Sequence, residues 1–264
     1  MKTQLPPLAV ADQQISAVLP VFNETDTVRI VCDWLRANLG ERLLEIIIVI
    51  SPRSSTESQD ICRTLAAGDG RIRVYEQQNN PGVGNAFREG YARVRGNVVL
   101  SMDSDNEMEL AAIPRMLATL SEGDYGLVVG SRWLPGGGFV GYSSFKRWLN
   151  WGFQQLFRML FSTRLHDLTY GFKVLRAELV HGIVWEATLH EIGCETTLKP
   201  VHLGVRCGEV PSTWTARTQG RSTNNFWRNF RYVATALRIL RRGVPLVHGG
   251  RPLGLTTARA AAVS

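Results

Sequence analysis

Val98-Val99-Leu100-Ser101-Met102-Asp103-Ser104-Asp105-Asn106-Glu107 is a short apolar run, rich in β-branched residues, that ends in three carboxylates. Gly96-Asn97 sets off its start, and the pattern predicts an interior strand. In an open α/β sheet, ligands collect at the carboxyl ends of the strands. Asp103, Asp105 and Glu107 are therefore expected at the mouth of a cleft. Three acids this close repel one another unless a cation joins them. Hard oxygen donors suit Mg2+ or Mn2+, which also bind phosphate oxygens. The competing reading of the same residues is an acidic turn capping a helix that starts near Met108.

Working outward, the chain alternates strand and helix signals. Residues 15–22 (ISAVLPVF) and 45–50 (EIIIVI) read as buried strands, and residues 71–75 and 125–131 as two more. Helical spacing of Val28, Val31, Trp34 and Leu35 predicts a helix to about Asn38, ended by Gly40; further helices are expected over 57–67, 86–93 and 110–120. Such alternation means an α/β fold with a mainly parallel sheet. The glycine-rich stretch Asn79-Asn80-Pro81-Gly82-Val83-Gly84-Asn85 is no dinucleotide fingerprint, because Phe87 stands where G-x-G-x-x-G needs its third glycine. A tight connection that sets a helix N-terminus near a nucleotide is the expectation.

The 264 residues, 44% of them hydrophobic, suffice for one sizeable core. No run of about 18 apolar residues reads as a membrane span, and the start lacks the apolar core of a signal peptide. Cys32, Cys62, Cys194 and Cys207 are scattered without metal or disulfide spacing and read as reduced thiols of a cytoplasmic protein. The last acid is Glu209, and nine arginines with no lysine follow it from Thr213 onward. The excess positive charge therefore sits at the C-terminal end and points to an anionic partner. Residues 1–14 read as a loose leader, and 243–264 as a disordered tail.

Two segments stand apart. Residues 144–162 are dense in aromatics, with Phe145, Trp148, Leu149, Gly152, Leu156 and Leu160 on one face. Over 225–241, Phe226, Phe230, Val233, Leu237 and Leu240 form an apolar line, with Arg228, Arg231, Arg238 and Arg241 largely off it. Each fits a helix lying on a membrane surface, or one packed against its own domain.

The ordered series V-L-P-V-F-N-E, I-I-I-V-I-S, N-P-G-V-G-N-A, M-D-S-D-N-E, V-V-G-S-R-W, D-L-T-Y-G-F-K, E-V-P and R-T-Q-G-R-S resembles the family 2 inverting glycosyltransferases, most of all their dolichyl- and polyprenyl-phosphate sugar synthases. The resemblance implies a GT-A-type nucleotide-sugar-binding domain over residues 15–242. It sets Pro20, Phe22 and Glu24 in the nucleotide pocket, and Asp103, Ser104 and Asp105 on the D-x-D motif. Asp103, Asp105 and Glu107 become the expected metal ligands for Mg2+ or Mn2+. Arg132 and Arg147 fall on arginines that bind the acceptor phosphate, where bidentate pairing suits a guanidinium. Arg217, Arg221 and Ser222 fall on a loop that closes over the donor diphosphate. Asp167 matches an acid that acts as a base, or that orients acceptor or sugar. His166 beside it reads as a packing histidine.

Two departures from the family pattern stand out. Where the family carries adjacent acids that help hold the base, this chain has Ser51-Pro52-Arg53-Ser54-Ser55. Ser51 is left to meet the substrate, and a hydroxyl does not reproduce a charged acceptor. Asn106-Glu107-Met108-Glu109 replaces a proline-rich continuation. The expectation is a peripheral, cytoplasmic-face enzyme moving one sugar from a nucleoside-diphosphate sugar to a polyprenyl phosphate. Its catalytic group is expected to comprise Asp105, Asp167 and Arg132. One rival uses a hydroxyl acceptor with Asp167 as base. Another is a non-catalytic binder; nucleic acid is disfavoured as a partner, because the cleft acids would repel its backbone.

Overall fold

A computed structural model of the chain describes residues 5–216 and 228–247. The first half alternates as expected: β1 (Ile15–Val21), α1 (Asp26–Leu39), β2 (Leu43–Ile50), α2 (Thr56–Gly68), β3 (Ile72–Glu76), α3 (Val83–Tyr91), β4 (Val98–Ser101), α4 (Ile113–Glu122) and β5 (Leu127–Ser131). Then follow β6 (Gly138–Val140), α5 (Ser144–Phe161), β7 (Lys173–Arg176), α6 (Ala177–Gly182), α7 (Ile192–His202), β8 (Cys207–Pro211), β9 (Thr213–Thr215) and α8 (Arg228–Arg242).

Seven strands form one sheet in the order β3-β2-β1-β4-β7-β5-β8, and β6 pairs with β9 in a small second sheet. Only β7 among the seven runs antiparallel to its neighbours. Helices cover both faces, so the central strands are largely apolar; Ile46, Ile47, Ile48 and Val49 are all fully buried. The strand order reverses at β1, which has β2 on one side and β4 on the other. The crevice beyond the ends of β1 and β4 is where such a sheet takes a ligand.

Several expectations need correction here. Residues 5–14, expected loose, are tied down: Gln13 donates to the Leu117 carbonyl at 2.8 Å, and Arg176 to the Pro6 carbonyl at 2.9 Å. Residues 243–247, expected in the tail, run beside α6. There Val184 donates to the Pro245 carbonyl and Val247 to the Gly182 carbonyl, each at 3.0 Å.

The two aromatic or basic segments are helices, but their buried sides differ from the expected stripes. On α5 the inward residues are Gln154 and Phe157, with Phe153, Leu156, Leu160 and Phe161 partly covered. On α8 the inward side carries Thr235, Ala236 and Ile239, while Phe230 and Leu237 face outward. The third apolar cluster, built from α5, α7 and α8, takes the inward side of each. Phe226 lies outside the described residues. Among the described residues, no helix is long and apolar enough to cross a membrane.

Candidate functional site

The acidic loop after β4 opens beside the end of β1. Ser104 is buried and donates its hydroxyl to the Pro20 carbonyl at 2.6 Å, joining the two strand ends. The sequence assigns Ser104 to the substrate; the structure gives its hydroxyl this tie, as a buried donor requires. Asn106, at φ +58°, reverses the chain, and Asp105 Oδ1 accepts the Glu107 amide at 3.2 Å. Glu107 then joins β9. Its carbonyl accepts the Thr215 amide at 2.9 Å, and its Oε2 accepts the Trp214 indole N–H at 3.0 Å.

No three His, Cys, Asp or Glu side chains converge as a metal cage among the described residues. Of the expected ligands Asp103, Asp105 and Glu107, the last also accepts the Trp214 indole through Oε2. What stands at the strand end is a set of half-buried hard carboxylates. That donor set fits an ion held by one or two carboxylates and completed by water and substrate phosphates, the habit of Mg2+.

At the neighbouring strand ends, Phe22 is 53% exposed, and Glu24 turns back to accept the Phe22 amide. Asn23 accepts the Ser55 amide at 2.8 Å, and Ser58 donates to the Glu24 carbonyl at 2.6 Å. Ser51 is buried, and its Oγ accepts Asn80 Nδ2 at 2.8 Å and the Arg53 amide at 3.2 Å. The segment 51–55 is thus knitted into the protein, and its acceptor capacity is spent internally.

In the glycine-rich stretch, a Cβ on Gly82 would lie 2.1 Å from the Thr188 carbonyl oxygen, and one on Gly84 2.6 Å from that of Ala187. The Asn85 amide donates to the Thr188 carbonyl at 3.2 Å. Residues 187–189 therefore close over the start of α3, and the glycines permit this backbone-to-backbone approach. Glu195, fully buried, holds that segment: it accepts the Glu186 and Ala187 amides, each at 2.9 Å, and pairs with Lys199 at 2.7 Å.

A second group of polar side chains is built on β5 and the turn before β7. Arg132 Nε donates to Asp167 Oδ2 at 2.7 Å and Nη2 to Oδ1 at 2.9 Å, and the Arg132 amide adds a third bond at 3.2 Å. The guanidinium lies between two rings, 4.2 Å from Tyr170 and 5.0 Å from Phe139. Burial alone would lower its pKa, but the Asp167 carboxylate outweighs this and holds it above the ordinary arginine value. Arg147 is exposed and lies 5.7 Å from the same Phe139 ring. Burial also raises the Tyr142 phenol and, far more, that of Tyr170. The Tyr170 hydroxyl has no hydrogen-bond partner among the described residues.

Asp167 is fully buried. Besides Arg132 it accepts Gln154 Nε2 at 3.3 Å and the Thr169 amide at 3.4 Å. Its own amide and that of His166 donate to Glu209, each at 2.8 Å. The sequence offers Asp167 as a base or as a group that orients acceptor or sugar; in the structure both its oxygens are engaged, chiefly by Arg132, and neither meets solvent. The residues the sequence reading missed here are Gln154, Thr169, Phe139 and Trp214. Glu209 was visible only as the acid of E-V-P. Arg217, Arg221 and Ser222 lie outside the described residues.

The family model for glycosyl transferase family 2 matches residues 16–183. Among curated proteins, undecaprenyl-phosphate mannosyltransferase of Micrococcus luteus is 27% identical over 215 residues, covering 79% of this chain and 86% of the relative. Dodecaprenyl-phosphate galacturonate synthase of Rhizobium johnstonii is 24% identical, covering 88% and 68%. Among solved structures, glucosyl-3-phosphoglycerate synthase from Mycobacterium tuberculosis in complex with UDP superposes with a TM-score of 0.64 at 20% identity, covering 92% and 88%. The same enzyme with Mn2+, UDP-glucose and phosphoglyceric acid gives 0.63 at 20% identity, covering 92% and 87%. At such identity the likeness carries the GT-A fold.

Proposed function

We propose that this chain, a glycosyltransferase that belongs to glycosyl transferase family 2, transfers one sugar from a nucleoside-diphosphate sugar to a polyprenyl phosphate. The observation that carries the acceptor class is the sealed state of the acids near Arg132. A hydroxyl acceptor needs a base within reach of its proton. Asp167 is fully buried and Glu209 is 7% exposed, each bonded through both oxygens. A phosphate acceptor is already ionised near neutral pH and needs no such base. The two curated relatives named above carry prenyl-phosphate acceptors in their names.

In this reading, Arg132 and Arg147 bind the acceptor phosphate. Arg132 uses Nη1, the nitrogen not turned toward Asp167 or Thr169. One acceptor oxygen attacks the anomeric carbon from the face opposite the leaving diphosphate, so the centre inverts. Pro20, Phe22, Glu24 and Ser51 frame the nucleotide. Asp105 and Glu107, with Asp103 beside them, would hold Mg2+ or Mn2+ together with the diphosphate oxygens. Such an ion, when bound, neutralises the departing nucleoside diphosphate.

The acceptor is lipid-borne, and α5 gives the enzyme a means to stay beside it at the cytoplasmic membrane face. Phe145 and Trp148 are each 72% exposed and Met159 71%. Lys146 and Arg147 stand exposed among them, the composition of an interfacial helix.

The test is a product assay with Mn2+, a short polyprenyl phosphate and a panel of UDP-, GDP- and TDP-sugars, read by mass spectrometry. Glycosyl-phosphoryl-prenol from one donor, lost in Asp105→Ala, is the expected result. Transfer to a hydroxyl acceptor alone overturns the acceptor assignment. Vesicle co-sedimentation reduced by Trp148→Ala tests the membrane face.

A further inference from the structure

A buried glutamine on α5 connects the surface helix to the acceptor arginine. We infer that Gln154 is a positioning residue that sets the guanidinium of Arg132, acting through Asp167 and Thr169; this rests on the reading of Arg132 as a phosphate ligand.

Gln154 is 1% exposed on the inward side of α5, beside Phe157, where a buried amide needs partners of its own. Its amide is fully used. Oε1 accepts the Leu168 backbone N–H at 2.7 Å, which fixes the orientation of the group. The two N–H bonds of Nε2 are then shared among Thr169 Oγ1 at 2.8 Å, Asn150 Oδ1 at 3.1 Å and Asp167 Oδ1 at 3.3 Å. Two of these atoms are also Arg132's partners: Asp167 Oδ1 and Thr169 Oγ1 receive Nη2 at 2.9 and 3.3 Å. Asn150 Oδ1 in turn receives the indole N–H of Trp133, the residue after Arg132, at 3.2 Å. One amide therefore fixes the rotation of both groups that hold the guanidinium plane. Without it, Arg132 keeps its charge but loses its aim. A phosphate ligand misplaced by about 1 Å costs on the order of a hundredfold in rate.

The experiment uses the full chain with Gln154→Leu, and Gln154→Met as a second variant should the first not fold. Steady-state kinetics with a short-chain prenyl phosphate should show kcat/KM for the acceptor falling about tenfold to a hundredfold, while calorimetry shows nucleoside-diphosphate affinity unchanged. Combined with Arg132→Ala, the effect should be far less than additive, because both act at one group. Additive effects, or equal losses in acceptor and nucleotide binding, overturn the inference. The Arg132 Nε–H resonance gives a readout independent of the acceptor. It should be resolved and slowly exchanging in the parent and lost in the variant; an unchanged signal also overturns it. If the parent makes no prenyl product at all, the acceptor reading fails, and this resonance still decides the role of Gln154.

Discussion

Replacing Asp167 with Asn separates a sealed counter-ion from a general base. The carboxylate is fully buried, and its arginine partner retains only 10% side-chain exposure. Asn keeps the volume and one acceptor oxygen. Its NH2 group, however, must face either Arg132 Nε or Nη2, both donors. The guanidinium is then left buried between Tyr170 and Phe139 with its charge uncompensated. Removing one partner of a buried pair costs about 3–5 kcal/mol, against a total stability of about 5–15 kcal/mol for a domain. Urea unfolding of Asp167→Asn should therefore show a loss of about 3–5 kcal/mol at unchanged slope. In an Arg132→Met background the same Asp167→Asn change should cost far less, since the buried charge that the carboxylate compensates is gone while Asn keeps an acceptor oxygen for the neighbouring amides. A solvent-facing base would behave otherwise: Asn would leave stability within about 0.5 kcal/mol and abolish turnover. That outcome would refute the assignment of Asp167 to the interior.

Tyr170→Phe removes a hydroxyl that has no partner among the described residues, so a thermal scan should show a gain of about 1 kcal/mol in stability. Lys173 is fully buried, donating to the Gly193 carbonyl and to Thr196 Oγ1, and burial pushes its pKa down to about 7. Between pH 7 and the ordinary 10.5, the unfolded chain carries a proton that the folded chain lacks. Stability then rises with pH across that window, by up to about 1.4 kcal/mol per unit, and sits on its lower plateau below pH 7. Denaturation of Lys173→Met from pH 6 to 10 should show this slope removed. Gly84→Ala drives a methyl into the backbone of residues 187–189 and should cost about 1–3 kcal/mol by chemical denaturation. Gly152→Ala, with nothing within 4 Å on α5, should instead add about 0.5–1 kcal/mol.

The first half of the fold was legible because its signals are local. Ile46–Val49 and Val98–Leu100 are apolar runs of β-branched and aliphatic residues between turn signals, and α1 and α4 carry clear helical periodicity. Beyond residue 162 that logic weakens. Helix α7 is buried nearly all round, contains Gly193 and Pro200, and hides Glu195 and Lys199 as an internal pair, so it presents neither an apolar stripe nor a normal helix composition. Strand β7 is four residues long, and both charged ends, Lys173 and Arg176, are buried; its place between β4 and β5 depends on partners distant in sequence. The acids after β4 and the arginines after β5 and on α5 were readable as residue types at spacings. Which of them face a ligand was not, because that follows from contacts such as Trp214 to Glu107 and Gln154 to Asp167, each spanning separate elements.

The acidic loop after β4 and the Arg132 group are not independent pieces of the molecule. Glu107 is bonded to Trp214 on β9, and the Trp214 ring meets Tyr142 at 5.3 Å. Tyr142 meets Phe139 on β6 at 5.0 Å, and Phe139 covers Arg132 at 5.0 Å and meets Trp133 at the same separation. Strands β6 and β9 pair with each other, and Ala216 donates to the Val140 carbonyl at 2.9 Å. A displacement of β9 that moves Glu107 must therefore slide or tilt the ring lying on Arg132. Close-packed aromatic contacts shift between discrete arrangements rather than deforming freely. The two-stranded sheet thus links the position of the acids after β4 to that of the Arg132 guanidinium after β5. On the proposed reading, an enzyme that must bring a charged donor and a charged acceptor into line has reason to tie both groups to one small element.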